Sequence, residues 1–327
     1  MDGANPAAGR LRPIAPIVAI VGPTATGKSD LALALAERLD GEIVNADASQ
    51  LYLGMDIGTA KVPPSCRRGI AHHELDVLTV ADEASVAAYQ RHARADVAAI
   101  RRRGARPIVV GGSGLYVRAL LDALDIPPTD ASVRSRLEAA VADEGVEVLH
   151  ARLVALDPIA AAAIDPRNGR RLVRALEVIE LTGRPFSATL PRREYVEPTI
   201  AVGLSADRDV LDQRIERRVR HMWAGGLVEE VRSLAAAGLR QAKTASRAVG
   251  YRQTLAHLDG ELSAEDAQTE TMAATRKLAR RQMSWFGADP RVVWLPHDAD
   301  DLVEQALSAI DASDAPDAPN APNAPNA

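Results

Sequence analysis

The first third of the chain alternates short apolar runs with longer amphipathic segments. Ile17–Val21 is a continuous run of mainly β-branched residues, which predicts a buried strand, and Glu42–Asn45 and Pro107–Val110 predict two more. Ser29–Leu39 and Asp82–Arg103 have the Ala-rich spacing of helices. Strands and helices in alternation predict an α/β fold with a parallel sheet and right-handed crossovers.

The pattern changes after about residue 130, where only helical signals continue as far as Gly183. Val133, Leu137 and Val141 recur every four residues, and Gly183 stands where a helix C-cap is expected. This segment predicts a helical insertion within the α/β fold. The later predicted elements are a strand at Ile200–Leu204, helices at Arg208–Trp223 and Ala264–Phe286, a strand at Arg291–Leu295 and a helix at Asp300–Ile310.

These elements divide the chain into four predicted regions. Residues 14–129 and 199–311 form a catalytic core, and residues 130–198 form the helical insertion domain. Residues 1–13 lack the apolar segment of a secretory signal and are predicted to be a flexible leader. Residues 312–327, with their repeated Asn-Ala-Pro, are predicted to be a disordered tail.

Composition narrows the class of protein. With 47% hydrophobic residues, the 327-residue chain can bury a sizeable core. No apolar run is long enough to span a bilayer, so no membrane association is expected. Cys66 is the only cysteine, which excludes an internal disulfide and a Cys-based zinc site, and a cytoplasmic location is expected.

The net charge of −5 argues by itself against a nucleic-acid partner, but basic residues gather in three clusters. Local patches, rather than the total charge, set the field that a polyanion meets. The alternative interpretation is that each cluster is a solvated helix face. The clusters are Arg167, Arg170, Arg171 and Arg174; Arg214, Arg217, Arg218 and Arg220; and Arg276, Lys277, Arg280 and Arg281.

Residues 22–29 match the phosphate-binding P-loop pattern G-x-x-x-x-G-K-[ST], directly after a strand and at the start of a helix. The glycines let backbone amides converge on phosphate oxygens, Lys28 adds a positive charge, and the Ser29 hydroxyl is a ligand for Mg²⁺. Together with the order of the predicted elements, the motif predicts a P-loop NTPase-like parallel sheet with an inserted all-helical domain and a helical C-terminal part. The predicted diphosphate-binding residues are Gly22, Pro23, Thr24, Ala25, Thr26, Gly27, Lys28 and Ser29, together with Arg214.

Two further candidates follow predicted strands. Asp47 comes just after Glu42–Asn45, where the carboxyl ends of parallel strands line a ligand crevice. It is a general base, a water-mediated ligand of magnesium, or merely a helix N-cap. Ser113 lies between glycines after Pro107–Val110, which suits close contact with a small substrate but also an ordinary tight turn.

The helix predicted from Arg208 carries an apolar stripe flanked by Arg214 and Arg218, four residues apart. Two guanidinium groups facing one cleft would neutralise a departing diphosphate, whereas surface salt bridging is the competing explanation. His72 and His73 have no second ligand cluster at metal-binding spacing, so a structural role is favoured over a metal site.

Beyond these sites, the chain resembles the tRNA dimethylallyltransferase (tRNA isopentenyltransferase) family over roughly residues 14 to 297. The most specific matching string is Asp-Ile-Gly-Thr-Ala-Lys at 56–61, since many unrelated enzymes share a P-loop. The other matching strings are 22–29, 47–52, 111–116, 171–172 with 174–177, 249–253 and 275–282.

The resemblance implies transfer of a dimethylallyl group from its diphosphate to the exocyclic amine of the adenosine on the 3′ side of the tRNA anticodon, with Mg²⁺ as cofactor. Asp47 is then the base, Ser113 positions the reacting groups, and Lys28 and Arg218 stabilise the leaving diphosphate. The tRNA anticodon stem-loop and dimethylallyl diphosphate are the expected partners of a monomeric enzyme. The residues expected to contact tRNA are Asp47, Ala48, Ser49, Gln50, Arg134, Arg170, Arg171, Arg174, Gly250, Tyr251, Arg252, Arg276, Lys277, Arg280 and Arg281.

Three alternatives remain open at the level of sequence. A P-loop small-molecule kinase explains the P-loop and Asp47, but gives no role to the string at 56–61 or to the basic helices. A cytokinin-type isopentenyltransferase acting on free adenylate shares the core, but needs no insertion that grips tRNA. A non-catalytic RNA-binding adaptor leaves Lys28, Ser29 and Asp47 unexplained.

Overall fold

The computed structural model describes residues 15–189 and 193–314, and within these ranges six strands form one sheet. Every neighbouring pair of strands is parallel, in agreement with the expected α/β class. The strands are β1 (Ile17–Val21), β2 (Gly41–Asn45), β3 (His72–His73), β4 (Arg106–Val110), β5 (Thr199–Ser205) and β6 (Val292–Pro296), and their order across the sheet is β3-β2-β4-β1-β5-β6.

The remaining described elements are helical. The α-helices are α1 (Lys28–Leu39), α2 (Val86–Arg102), α3 (Gly114–Leu121), α4 (Ala131–Glu144), α5 (Val146–Leu156), α6 (Pro158–Ala163), α7 (Gly169–Thr182), α8 (Arg208–Ala224), α9 (Leu227–Ala236), α10 (Tyr251–Leu258), α11 (Ala264–Gly287) and α12 (Leu302–Asp314). Short 3-10 turns occur at Pro64–Cys66, Phe186–Thr189, Leu239–Gln241 and Ala245–Arg247.

Most predicted elements are present, with shifts at their ends that have local causes. The helix expected from Asp82 begins at Val86, because the Ser85 hydroxyl caps it by accepting from the amide of Ala88. The tail predicted from residue 312 was placed too early, since α12 continues to Asp314. The rest of that tail and the predicted leader at 1–13 lie outside the described residues.

The sheet core consists of small and branched aliphatic side chains, since aromatic residues make up only 3% of the sequence. Val18, Ile20, Ile108 and Val202 are completely buried in the central strands, and α1 and α12 pack on the same core cluster. Burial of such side chains is the main favourable contribution to folding. This core fixes the strands whose carboxyl ends carry the candidate site.

The chain divides into two compact units, one of which spans Asp122–Val196 and contains α4 to α7. Gly183 ends α7 in the left-handed conformation, as predicted from its position. Inside this unit the carboxylate of Glu177 is completely buried and accepts from Arg134 at 2.8 Å and from Arg174 at 2.7 Å. These two predicted tRNA contacts are therefore engaged in an internal ion pair, whereas Arg170 and Arg171 are exposed.

We expect Glu177→Ala to lower the free energy of unfolding by about 2 kcal/mol, because both guanidinium groups lose a buried carboxylate. Urea unfolding of the full chain measures the change. Glu180→Ala is the matched control on the same helix, since its pair with Arg136 is exposed and is expected to contribute less than about 1 kcal/mol. Equal losses in the two variants would contradict a structural role for the Glu177 pair.

Candidate active site

Three loops converge where β1, β2 and β4 end. Val110 of β4 is level with Asn45 of β2 on one side and with Ile20 of β1 on the other. The P-loop follows β1, the Asp47 loop follows β2, and Gly111–Ser113 follows β4. Because neighbouring parallel strands end at the same edge of the sheet, these sequence-distant loops lie side by side.

The P-loop wraps tightly at the start of α1. Gly22 has φ of 124°, and a Cβ at this position would lie 2.7 Å from the carbonyl oxygen of Leu204, so only glycine fits here. The carbonyl of Pro23 accepts from the Thr26 hydroxyl at 2.9 Å and from Lys28 Nζ at 2.6 Å. These bonds brace the loop at the start of α1, and the N-terminus of a helix favours an anionic ligand.

Hydrogen bonds between neighbouring residues hold the Asp47 loop. The Asp47 amide donates to Asn45 Oδ1 at 3.0 Å, and Asp47 Oδ1 accepts from the Ser49 amide at 2.9 Å. The Ser113 hydroxyl accepts from the Ala48 amide at 3.1 Å. Asp47 therefore forms a local turn rather than capping a helix, and Ser113 supports the residue next to it.

Arg214 and Arg218 of α8 both reach the P-loop, as their spacing predicted. Arg214 Nε donates to the carbonyl of Ala25 at 2.7 Å, and an Arg218 nitrogen lies 3.5 Å from the Thr24 hydroxyl. The apolar stripe of the same helix, Leu211, Ile215 and Val219, is buried. Burial of that stripe directs the two guanidinium groups toward the phosphate-binding loop.

Together these loops line a cleft of about 820 Å³. Gly22, Pro23 and Thr26 are buried in the P-loop outside this lining, and Ser113 supports the cleft through Ala48. Sequence reasoning missed the contributions of Lys61, Arg68 and Arg217, which also line it. The predicted residues that line the cleft are Thr24, Ala25, Gly27, Lys28, Ser29, Asp47, Gln50, Arg214 and Arg218.

The string at 56–61 forms a wall of this cleft and is held from two sides. Lys61 Nζ is buried and donates to the Tyr52 carbonyl at 2.9 Å and to the carboxylates of Asp56 at 2.7 Å and Asp76 at 2.5 Å. On the other side, Glu230 of α9 accepts from the amides of Asp56, Ile57 and Gly58. Glu230 had no signal in the sequence, because the contact spans more than 170 residues.

Tyr251, one of the predicted tRNA contacts, is completely buried, and its hydroxyl donates to Glu230 at 2.5 Å. A Cβ on Gly58 would lie 2.5 Å from its ring. The Tyr251 side chain thus supports the wall of the cleft and is not a surface contact in this structure. Its neighbour Gly250 is also buried, while Arg252 is exposed.

The other predicted RNA contacts lie at the surface to different degrees. Ala48, Ser49 and Gln50 are partly buried in the Asp47 loop, and Nε2 of Gln50 donates to the Thr59 carbonyl at 3.1 Å. Arg276 of α11 lies 3.6 Å from Asp212 and 3.8 Å from Glu216 of α8. Lys277, Arg280 and Arg281 of the same helix are exposed.

The partly buried cations of the cleft favour an anionic ligand. Burial lowers the pKa of Lys28 from 10.5 to about 8, with the Asp47 carboxylate opposing this effect and Arg218 adding to it. Burial also lowers the pKa of Arg218, against the influence of Asp47. A phosphate group in the cleft would relieve the mutual repulsion of these cations.

The donor set fits a magnesium ion carried largely by a phosphorylated ligand. Among the described residues no group of three or more His, Cys, Asp or Glu side chains is arranged to hold a metal ion. Ser29 and Asp47 nevertheless bring oxygen atoms to the cleft. Mg²⁺ commonly uses one or two protein oxygens together with substrate phosphates and water, so a sparse protein donor set suits it.

The two histidines considered as metal ligands, His72 and His73, lie outside the cleft and have hydrogen-bond partners within the protein. His73 Nε2 is 2.7 Å from the Glu42 carboxylate, and His72 Nδ1 is 2.9 Å from the Ile70 carbonyl. These contacts agree with the structural role favoured for both histidines.

Of the helices in the described ranges, none combines the length and apolar character that crossing a bilayer requires.

Fold and site together define a P-loop NTPase-like protein in which a basic helix faces the phosphate-binding loop. The chain belongs to the IPP transferase family, whose model matches residues 50–289. It is 59% identical over 297 residues to a tRNA dimethylallyltransferase of Thermobifida fusca, covering 89% of this chain and 93% of that protein. The Streptomyces avermitilis tRNA dimethylallyltransferase is 58% identical, with 88% and 92% covered.

Comparison with solved structures leads to the same family. The full-length tRNA isopentenylpyrophosphate transferase of Bacillus halodurans is 38% identical with a TM-score of 0.67, and the match covers 91% of this chain and 98% of that one. A eukaryotic dimethylallyltransferase described as acting on tRNA is 26% identical with a TM-score of 0.76, and 91% and 77% of the chains are covered. The family resemblance and the predicted fold class are thereby confirmed.

The lowered pKa of Lys28 predicts that any diphosphate ligand of the cleft binds in a pH-dependent way, and dimethylallyl diphosphate is the ligand to test. As the pH rises through about 8, Lys28 loses its proton, so affinity falls, and binding above this pH takes up a proton. Titration calorimetry at pH 7 and 9, in buffers of different ionisation enthalpy, measures both effects. Lys28→Arg, which stays charged, controls for titration of the ligand itself. Equal proton uptake by the two proteins at pH 9 would contradict the prediction.

Proposed function

We propose that this protein is a tRNA dimethylallyltransferase. It transfers the dimethylallyl group of dimethylallyl diphosphate to the exocyclic amine of the adenosine 3′-adjacent to the anticodon, giving isopentenyladenosine and diphosphate. The observation that carries the proposal is that Lys28, Arg218 and Asp47 line one cleft. Membership of the IPP transferase family and similarity to relatives named tRNA dimethylallyltransferase support the choice of substrates.

In the proposed reaction, the adenine N6 attacks C1 of the prenyl group while the bond from C1 to the diphosphate oxygen breaks. Lys28, Arg214 and Arg218 stabilise the negative charge that develops on the leaving diphosphate. Asp47 accepts the proton that N6 loses. Their common position in the cleft supports this division of roles, because the cations that would bind the diphosphate and the carboxylate that would accept the proton line the same space.

Ser113 is proposed to position the acceptor side of the reaction. Its hydroxyl accepts from the Ala48 amide, the next residue after Asp47, which supports a role in fixing the base. An adenine amine is a weak nucleophile, so orientation and stabilisation of the departing charge must supply most of the acceleration. Mg²⁺, with Ser29 as its proposed protein ligand, would add positive charge beside the diphosphate.

Exposed cations are proposed to bind the tRNA backbone. Lys277, Arg280 and Arg281 form one such group on α11, and Arg170 and Arg171 form another within the helical unit Asp122–Val196. Contacts of this kind bind phosphates without reading sequence. The target adenosine must leave its stack to react, which costs less in a loop than in a duplex. The protein is further proposed to act as a monomer in the cytoplasm.

The proposed activity is tested by incubating the protein and Mg²⁺ with unmodified tRNA and labelled dimethylallyl diphosphate, then analysing the nucleosides by mass spectrometry. Isopentenyladenosine in the tRNA is the expected product. Parallel reactions contain AMP in place of tRNA, or ATP in place of the prenyl donor. Modification of AMP alone would favour a free-adenylate enzyme, and ATP consumption without prenyl transfer would favour a kinase.

Asp47→Asn is expected to lower turnover by at least about 10²-fold, because the amide keeps the shape of the carboxylate but does not accept the proton. The Asn side chain retains an acceptor for the Ser49 amide, so the loop should keep its turn. Steady-state rates at saturating substrates, combined with tRNA-binding measurements, separate loss of the base from loss of binding. Unchanged turnover would remove Asp47 from the chemical step.

Arg280→Ala is expected to weaken tRNA binding and to reduce the slope of log K against log salt by about 1, because one phosphate contact is lost. Affinity for dimethylallyl diphosphate should not change. Filter binding across a salt series measures the slope. Arg232→Ala is the control for loss of one charge, since Arg232 is exposed on α9 and paired with Glu229. The same slope in Arg280→Ala and the wild type would count against the α11 contact.

A further inference from the structure

A buried glutamine outside the groups discussed so far joins the two halves of the cleft. Gln282 lies on α11 and is only 7% exposed. Its Oε1 accepts from the Thr24 amide of the P-loop at 2.8 Å, and its Nε2 donates to the Gly112 carbonyl at 3.0 Å. One carboxamide therefore bridges two backbones that are 88 positions apart in the chain (112 minus 24).

The geometry around Gly112 is built for this bridge. A Cβ at residue 112 would lie 2.3 Å from Gln282 Nε2 and 3.6 Å from the Gly22 carbonyl oxygen. Absence of a side chain at this position thus lets the carboxamide enter between the two loops. A buried side-chain amide with both donor and acceptor satisfied is costly to disturb, because each lost bond leaves a polar group unpaired.

Each bridged loop leads to a different end of the proposed reaction. Thr24 lies beside Arg218, which belongs to the diphosphate side. Gly112 precedes Ser113, whose hydroxyl holds the Ala48 amide next to Asp47 on the acceptor side. Besides the direct pairing of the strands, one chain of contacts from Arg218 to Asp47 therefore passes through the Gln282 carboxamide.

We propose that Gln282 is a positioning residue that fixes the distance between the diphosphate-binding loop and the Ser113–Asp47 side of the cleft. This inference rests on the proposed function, since it concerns the approach of donor and acceptor. Gln282 touches only backbone atoms of the two loops in the contacts described, so it acts through them. Its loss should affect the alignment of two bound substrates more than the binding of either one.

The test compares Gln282→Leu and Gln282→Glu with Gln268→Leu. Gln268 is on the same helix, but its amide donates only to the Ala264 carbonyl one turn away. In Gln282→Leu, we expect kcat to fall by about 10- to 100-fold, the scale of a small misplacement of reacting groups. KM for both substrates and the calorimetric Kd for the prenyl diphosphate should change less than about threefold. Gln268→Leu should match the wild type.

Gln282→Glu provides a signature that a purely structural role would lack. Its carboxylate can accept from the Thr24 amide, but when ionised it repels the Gly112 carbonyl, and protonation restores the missing donor. Activity relative to the wild type should therefore rise as the pH falls. This variant also keeps the inference testable if Gln282→Leu does not fold.

The inference is overturned if kcat of Gln282→Leu stays within twofold of the wild-type value. It is also overturned if the fall in kcat disappears once the rate is divided by the concentration of correctly folded active sites. A constant ratio of Gln282→Glu to wild-type activity across pH would also overturn it. Wild-type protein without prenyl transfer would instead refute the proposed function. In that case amide exchange at Thr24 decides, because the inference requires faster exchange in Gln282→Leu but not in Gln268→Leu.

Discussion

The parallel pairing of β2, β4 and β1 is the constraint on which the rest of the structure depends. With β4 between the other two strands, Val110 is level with both Asn45 and Ile20. The loops that follow must then pass very close to one another. A Cβ on Gly111 would lie 2.3 Å from the backbone of Ala46, so glycine is required where the β4 loop crosses the β2 loop.

Close approach of these loops concentrates charge as well as backbone. The two arginines of α8 and Lys28 face the same space as Asp47, and burial keeps the pKa of Lys28 near 8. Cations held together without full solvation favour an anionic ligand, because binding replaces their repulsion with attraction. The contacts at Lys61, Glu230 and Gln282 hold the surrounding walls, so that this charge stays fixed in position.

Local sequence signals were sufficient for the elements that form the site. The P-loop, the strand before Asp47 and the spacing of Arg214 and Arg218 depend on neighbouring residues, and each has the position expected of it. Strand β3 was missed because it has only two residues, too few for a periodic pattern. Helix α3 was missed because it begins at Gly114, within a glycine-rich segment that is typical of a turn. The packing of Tyr251 against Gly58 and the bridge at Gln282 depend on partners far along the chain, which one sequence does not reveal.

The central claim is that donor diphosphate and acceptor amine meet between the P-loop and Asp47. A crystal structure of the protein with an unreactive prenyl thiodiphosphate and an adenosine-bearing anticodon stem-loop tests it most directly. The account predicts that the diphosphate contacts Lys28 and Arg218, and that the Asp47 carboxylate lies about 3 Å from the adenine N6. A diphosphate bound outside this cleft, or an N6 beyond reach of Asp47 with no intervening water, would contradict it.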